Sequence, residues 1–132
     1  MNRRRILVCD DELLIRMWLE EHLREAGYRV ESVGEGLALL AALERAPGDL
    51  VLLDLRLPDA YGIDLIPRIH ALDPDLPVIM MTAFGEVQTA VAAVRAGAQQ
   101  FVEKPIELAE YIFRERPEWN REKIPLESDY SA

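Results

Sequence analysis

The chain has 132 residues, half of them apolar and 30% charged, with a formal net charge of −9. This length predicts one domain with its own core, and the acidic balance argues against a nucleic-acid-binding surface, which would be basic. The single cysteine, Cys9, excludes an internal disulfide and is expected to be a small buried apolar residue in a reducing cytoplasm. No apolar stretch approaches the ~20 residues of a membrane span, so no membrane contact is expected.

Apolar runs and helical spacings alternate along the chain. The first half predicts, in order, a strand at 6–9, a helix at 13–26, a strand at 28–33, a helix at 37–43 and a strand at 50–54. The second half predicts a helix at 63–72, a strand at 78–81, a helix at 86–96, a strand at 100–103 and a helix at 106–116. Pro67 is expected to bend the third helix or delay its start. The second strand is expected near a sheet edge because its apolar pattern is weak.

The central stretch is Leu50-Val51-Leu52-Leu53-Asp54. Four consecutive apolar residues predict a strand buried on both faces, as found in parallel sheets. Strict alternation of strands and helices predicts a parallel sheet with helices on both faces. Right-handed crossovers leave few arrangements, and we predict a doubly wound, flavodoxin-like α/β fold with five strands in the order 2-1-3-4-5.

Polar residues follow the predicted strands. They are Asp10, Asp11 and Glu12 after the first strand, Asp54 at the end of the third, Thr82 after the fourth and Lys104 after the fifth. In a parallel sheet these residues converge on one rim, where open α/β sheets bind ligands. Carboxylates packed together repel one another unless a cation lies between them, and such oxygen ligands suit Mg²⁺ better than zinc. A lysine beside them suits a phosphoryl group, and Asp54, alone at the sheet centre, is the candidate nucleophile.

Each of these residues also has an ordinary alternative. The acids at 10–12 are suited to cap the first helix, and Thr82 is suited to a turn. Lys104 alone would be a solvated surface charge. His22 and His70 are expected on solvated helix faces, away from the rim. The conjunction of the residues at one rim, and no single residue, carries the functional interpretation.

In these residues the chain resembles the receiver domain of two-component response regulators. The matching stretches are Ile6-Leu7-Val8-Cys9-Asp10-Asp11-Glu12, Asp54 with Pro58 and Gly62, Met81-Thr82-Ala83-Phe84-Gly85, and Phe101-Val102-Glu103-Lys104-Pro105. They occur in the family's order and run from residue 5 to about residue 113. The stretch from Thr82 to Lys104 most resembles receivers that precede sigma-54-dependent activator modules of the nitrogen-regulation type.

The resemblance implies a phosphorylation switch in which a sensor histidine kinase donates a phosphoryl group to Asp54. It implies that Mg²⁺ is held by the side chains of Asp11 and Asp54 and by the backbone carbonyl of Arg56, with Asp10 acting partly through water. Lys104 would pair with a phosphoryl oxygen. This receiver would catalyse only its own phosphorylation and dephosphorylation.

The resemblance also implies how the switch is transmitted. Thr82 would bond a second phosphoryl oxygen, and Phe101 would be the aromatic residue that turns inward when the threonine moves. The readout face would be the fourth helix, the fifth strand and the fifth helix, acting on an output domain or partner protein, most often in transcription. A homodimer through this face is one possible outcome. The Lys104–Pro105 bond is usually cis in this family.

Two other functions stay open at this stage. A magnesium-dependent aspartyl-phosphate phosphatase would carry a second aspartate two residues after the nucleophile, where this chain has Arg56. A degenerate receiver that only binds partners would lack an acid, Asp54 or Lys104, and none is lost. A dinucleotide site is not expected because no glycine-rich fingerprint follows the first strand.

The chain is predicted to divide into a receiver domain at 1–116 and a C-terminal tail or linker start at 117–132. Pro117 ends the last predicted helix early, and the residues beyond it are polar without a clear period. Trp119 and Tyr130 leave docking of this segment open. The chain is expected to be either a stand-alone receiver or one cut from its output domain.

Overall fold

The computed structural model describes residues 4–82 and 87–104. The strands are β1 (Arg5–Cys9), β2 (Arg29–Val33), β3 (Leu50–Asp54), β4 (Val78–Thr82) and β5 (Gln100–Glu103). The helices are α1 (Leu13–Glu25), α2 (Gly36–Arg45), α3 (Gly62–Leu72) and α4 (Val87–Ala96). The predicted helix at 106–116 and the segment at 117–132 lie outside the described residues. None of the helices in the described ranges is long and apolar enough to cross a membrane.

The five strands form one sheet in the order β2-β1-β3-β4-β5. Every pairing is parallel, which confirms the predicted fold class and strand order. All five residues of β3 are buried, as predicted for a central strand, because β3 lies between β1 and β4. The predicted edge position of β2 is also confirmed, and its residues are exposed or half-buried.

Two apolar clusters cover the two faces of the sheet. The first packs α1 on one face through Leu19 and Leu23. The second packs α2, α3 and α4 on the other face, through residues such as Leu39, Ile66 and Ala93. Helices therefore lie on both faces, as expected for a doubly wound sheet.

Several details differ from the sequence-based predictions. The helical spacing at 13–26 predicts an apolar stripe with Leu14 and an adjoining one with Ile15, Leu19 and Leu23. The second stripe faces the sheet, and Leu14, one position off it, is 79% exposed. Tyr28 precedes β2 and is buried in the first apolar cluster. Pro67 lies within α3, which is continuous from Gly62 to Leu72 and is not delayed.

The two histidines, predicted on solvated helix faces away from the rim, lie on α1 and α3 and are half-buried. His70 Nε2 lies 2.9 Å from the carbonyl oxygen of Leu76, which ties α3 to the loop that follows it. His22 Nδ1 lies 2.8 Å from the carbonyl oxygen of Trp18, and the two rings are 4.2 Å apart. The His22 ring thus packs along its own helix, whereas the His70 ring lies between the loop after α3 and Gly97, which follows α4.

Arg5 fixes the C-terminal end of α2 to the start of the sheet. Its side chain is largely buried and donates hydrogen bonds to the carbonyl oxygens of Ala46, at 2.6 Å, and Pro47, at 3.1 Å. The guanidinium also pairs with Glu31 at 2.6 Å. Hydrogen bonds from Arg45 and Arg5 hold the pKa of Glu31 below its usual value. A buried arginine thus binds the two carbonyl groups that directly follow α2, and it also lies 3.4 Å from the Ala42 carbonyl oxygen in the last turn of the helix.

Candidate functional site

The carboxyl ends of the strands bring the predicted site residues to one rim. Asp54 is the last residue of β3 and Thr82 the last of β4, while Asp10 and Lys104 follow β1 and β5 directly. The Lys104 amide donates a 2.6 Å hydrogen bond to the Thr82 carbonyl, which fixes the end of β5 against β4. A cleft of about 360 Å³ opens there, lined by Asp11, Glu12, Asp54, Leu55, Arg56, Thr82 and Lys104.

Lys104 reaches into the acidic residues from the far side of the rim. Its Nζ lies 2.8 Å from Asp10 Oδ2, 3.3 Å from Asp54 Oδ1 and 3.3 Å from Glu12 Oε1. The side chain is only 7% exposed, so the alternative of a solvated surface charge is wrong. Burial alone would lower the pKa of Lys104, but the hydrogen bond and charge of Asp10 raise it above its usual value. The lysine is therefore a charged group at neutral pH.

Asp54 lies in surroundings that disfavour its charge. Its residue is 5% exposed. Burial, followed by repulsion from Asp10, raises the pKa of Asp54 from 3.8 to about 6, and Lys104 opposes this shift. The carboxylate is thus ionised at neutral pH, but Lys104 does not fully offset the cost of burying its charge. A further cation beside Asp54 would therefore be bound favourably.

The acids after β1 form a compact set of oxygen donors. One carboxylate oxygen from each of Asp10, Asp11 and Glu12 lies within 4.8 Å of the others, with Asp10 buried and the other two exposed. Asp10 Oδ1 accepts a 2.9 Å hydrogen bond from the Glu12 amide, and Arg16 donates a 2.7 Å bond to the Asp10 carbonyl. Glu12 precedes α1 but makes no side-chain capping bond. Its contact is with Lys104, so the capping alternative is wrong for this residue.

The loop between β3 and α3 forms the remaining wall. Arg56, which is exposed, forms an isolated bridge with Tyr61, and the Leu57 amide donates to the Ala60 carbonyl at 3.0 Å. Gly62 closes the loop by donating a 2.6 Å hydrogen bond to the Leu55 carbonyl. These bonds hold the backbone of Arg56 at the cleft, where its carbonyl is predicted to be a cation ligand.

Glu12 was predicted at the rim as part of the acidic run, although not among the cation ligands that the resemblance implies, and the structure adds its contact with Lys104. One other feature of this region is not predicted from the sequence pattern. Asp59 accepts a hydrogen bond from the Gly36 amide at the start of α2, and no local sequence pattern indicates this partner 23 positions earlier in the chain. Phe101 lies on β5 beside Met80, is half-buried, and packs against the second apolar cluster.

A doubly wound sheet that gathers an acidic cluster, a buried aspartate, a threonine and a lysine at the carboxyl ends of its strands is the architecture of receiver domains. The chain matches the response regulator receiver domain over residues 6–114 and belongs to that family. This confirms the resemblance found in the sequence.

Known proteins place the chain more closely. It is 40% identical over 107 residues to the DNA-binding transcriptional regulator NtrC of Bradyrhizobium sp., covering 81% of this chain and 22% of that protein. NtrC proteins of Azospirillum brasilense and Rhizobium meliloti match similarly, which confirms the resemblance to nitrogen-regulation receivers. The chain thus spans about a fifth of the length of these NtrC relatives. In such homologues a receiver domain is one part of a longer regulator.

Solved structures of response regulators share this fold. The receiver domain protein (CheY-like) from Methanospirillum hungatei superposes with a TM-score of 0.82 at 31% identity, covering 92% of this chain and 99% of that one. A Burkholderia pseudomallei response regulator, whose structure contains a phosphorylated aspartic acid and a calcium ion, has a TM-score of 0.78 and 26% identity, covering 83% of this chain and 65% of that one.

Proposed function

We propose that the chain is a phosphorylation switch that accepts a phosphoryl group on Asp54. The observation that carries the proposal is the buried Asp54 carboxylate, with the Lys104 ammonium 3.3 Å away and the acidic cluster at the same rim. A nucleophile needs an exposed approach, and the cleft supplies one. The related Burkholderia structure supports the proposal because it carries a phosphorylated aspartic acid.

The donor set fits a divalent cation of the magnesium type. Among the described residues that line the cleft, the candidate ligand atoms are oxygens of carboxylate, hydroxyl and carbonyl groups, and burial together with repulsion from Asp10 raises the pKa of Asp54. We assign the side chains of Asp11 and Asp54 and the carbonyl of Arg56 as ligands, with Asp10 acting partly through water. When bound, Mg²⁺ would offset the charge of the phosphoryl oxygens during transfer.

In the transfer step, a carboxylate oxygen of Asp54 attacks the phosphorus of a phosphohistidine on a sensor kinase. A new P–O bond forms, the P–N bond breaks, and the histidine nitrogen leaves with its electron pair. Lys104 then pairs with a phosphoryl oxygen, and the Thr82 hydroxyl donates to another. Dephosphorylation is a separate step, in which water attacks the same phosphorus and the bond between phosphorus and the Asp54 oxygen breaks. The products are inorganic phosphate, which carries the oxygen and hydrogens of the water, and the free Asp54 carboxylate.

The consequence of transfer is a change at the surface formed by α4, β5 and the predicted last helix. Movement of Thr82 would let Phe101 turn inward, which alters this surface for an output domain or partner protein. By analogy with the transcriptional regulators that it resembles, we propose that the output is transcriptional and that the chain acts in the cytoplasm. A homodimer through this surface is one form that the output can take.

The direct test is intact mass after incubation with acetyl phosphate and Mg²⁺. We expect one phosphoryl adduct that requires the cation and is absent from Asp54→Asn. An adduct that persists in Asp54→Asn would place the acceptor elsewhere. No adduct on a folded, magnesium-binding wild-type chain would favour a module that only binds partners.

Removal of a proposed cation ligand is expected to weaken metal binding. Asp11→Ala should lower Mg²⁺ affinity by at least about tenfold, because it removes a charged oxygen from the cleft. Calorimetric titration measures this change, with Asp75→Ala as the control because Asp75 is an exposed loop carboxylate remote from the rim. Unchanged affinity in Asp11→Ala would remove Asp11 from the metal site.

Thr82→Ala is expected to separate phosphorylation from its consequence. The variant should accept the phosphoryl group, but the equilibrium constant that favours the active conformation should be roughly tenfold smaller. The reason is that a hydrogen bond to a charged group contributes about 1.5 kcal/mol. Amide chemical shifts of β5 and α4, recorded with and without phosphorylation, measure the shift. Thr82→Ser keeps the hydroxyl and should behave as wild type. A full conformational response in Thr82→Ala would show that the hydroxyl is not part of the switch.

A further inference from the structure

The N-terminus of α2 receives its cap from a distant segment. Asp59, in the loop between β3 and α3, accepts hydrogen bonds from the backbone amides of Gly36, at 2.8 Å, and Leu37, at 2.9 Å. Glu35, which immediately precedes α2, makes no side-chain capping bond. Each carboxylate oxygen of Asp59 thus satisfies one amide that the start of the helix leaves without a partner.

The same loop carries the carbonyl of Arg56. Within the loop, the bridge between Arg56 and Tyr61 and the bond from Leu57 to Ala60 form a small folded unit. Those bonds are internal and fix the shape of the loop, while its first residue, Leu55, is tied to β4 by its amide, 3.0 Å from the Met81 carbonyl oxygen. Asp59 connects the unit to α2, a helix packed on the sheet.

Packing adds to this connection on the same side. A Cβ atom placed on Gly36 would lie 3.4 Å from Cβ of Ala60 and 2.8 Å from a methyl group of Leu65. The start of α2 therefore lies directly against the loop and the first turns of α3. A shift of the loop away from α2 would break both hydrogen bonds of Asp59 and open this contact.

We propose that Asp59 is a positioning residue that holds the β3–α3 loop against α2, so that the carbonyl of Arg56 faces the cation cleft. The inference rests on the proposed function, since it concerns the same metal site. It adds a residue outside the cleft that sets the affinity of the site through the loop. The arrangement is favourable because a carboxylate is stabilised at the positive end of the helix dipole.

The ionisation of Asp59 agrees with this role. Hydrogen bonds from the amides of Leu37 and Gly36 lower the pKa of Asp59 below its usual value. The charged form, which accepts both bonds, is therefore the form present at neutral pH. By linkage, a cation that needs the loop in place should in turn strengthen the contact between Asp59 and α2.

Magnesium titration of two Asp59 variants tests the proposal on the full chain. Asp59→Ala, which removes the acceptor, should bind Mg²⁺ about tenfold more weakly than wild type, as expected for loss of a group that orients a ligand. Asp59→Asn keeps only one of the two acceptor oxygens and turns an NH2 group toward the second backbone amide, so its loss of affinity should be smaller than that of Asp59→Ala but measurable. Wild-type Mg²⁺ affinity in both variants would overturn the proposal.

Asp49→Ala is the matched control for general loss of stability. Asp49 also accepts a backbone hydrogen bond from a distant segment, 2.7 Å from the Arg5 amide, but at the opposite end of β1. It should lower stability and leave Mg²⁺ affinity unchanged. A loss of affinity equal to that of Asp59→Ala would overturn the proposal.

Hydrogen exchange gives a second readout that a purely structural cap would not change. In wild type, the amides of Gly36 and Leu37 should exchange more slowly when Mg²⁺ is added. In Asp59→Ala they should exchange quickly with or without the cation. The role of Asp59 would be overturned if hydrogen exchange in wild type did not change with Mg²⁺, or if Asp59→Ala bound Mg²⁺ as tightly as wild type. Either result would leave the proposed function intact. A wild-type chain that binds no Mg²⁺ would overturn the proposed function together with it.

Discussion

Gly62→Ala is expected to destabilise the domain by about 3 kcal/mol or more, because the added methyl group has no space. A Cβ atom at this position would overlap the backbone carbonyl of Asp54 and would lie 2.9 Å from the terminal methyl group of Met80. The backbone of β3 is buried and paired on both sides, so it cannot move aside. The Gly62 amide also donates the 2.6 Å bond to Leu55 that closes the loop. The variant should therefore disturb both the fold and the position of Asp54.

Urea unfolding measures this effect, and Gly34→Ala is its control. Gly34 lies at the same rim, but the closest contact of its added Cβ would be the far end of the Arg16 side chain, at 3.0 Å, and the nearest backbone atom would be 3.9 Å away. We expect Gly34→Ala to change the free energy of unfolding by less than about 1 kcal/mol. If Gly62→Ala unfolded at the wild-type urea concentration, the close approach of Gly62 to Asp54 would be incorrect.

Asp54→Asn is expected to stabilise the metal-free domain at neutral pH. The pKa of Asp54 is 3.8 in ordinary surroundings and about 6 in the fold, so between these values the folded chain binds more protons than the unfolded chain. Its free energy of unfolding therefore falls as the pH rises through this window. Above about pH 6 the carboxyl group is ionised in both states, and the full loss of stability is present. Removing the charge should recover about 1–3 kcal/mol, the lower figure applying if the lost pairing with Lys104 offsets much of the gain.

The pH dependence makes this prediction specific. In the presence of a chelator, the advantage of Asp54→Asn should be largest at about pH 7.5 and should shrink by about pH 5, where the wild-type carboxyl group is mostly protonated. Asp75→Asn alters an exposed carboxylate away from the rim and should show no such trend. A variant less stable than wild type at every pH would mean that Asp54 gains more from Lys104 than burial costs it.

The sheet and its rim were predictable because their signals are local. A run of apolar residues ending in Asp54 predicts a buried strand without information from the rest of the chain. Parallel pairing then places the carboxyl ends of all the strands at the same edge of the sheet. Thr82 and Lys104 could be placed at the rim on this basis alone. Their proximity needed no knowledge of side-chain conformations.

Other features depend on contacts between distant segments and could not be predicted from the sequence. The exposure of Leu14 depends on how α1 is rotated about its axis relative to the sheet, since a neighbouring stripe of similar polarity was available. The cap that Asp59 gives to α2 depends on the path of a loop, which spacing does not encode. The close approach of Gly62 to Asp54 likewise follows from how the loop closes. The roles of the individual rim residues stay predictions until the variants above are measured.

Helix α2 is fastened at both ends by charged side chains from other parts of the chain. Asp59 holds its first amides, and Arg5 holds the carbonyl groups at its far end. Helix ends normally fray because their outer groups exchange readily between protein and water. Here, unwinding either end requires β1 or the β3–α3 loop to release a contact as well. The unravelling of α2 is thus coupled to the release of these contacts, which join the helix to a strand at one end and to a loop at the other.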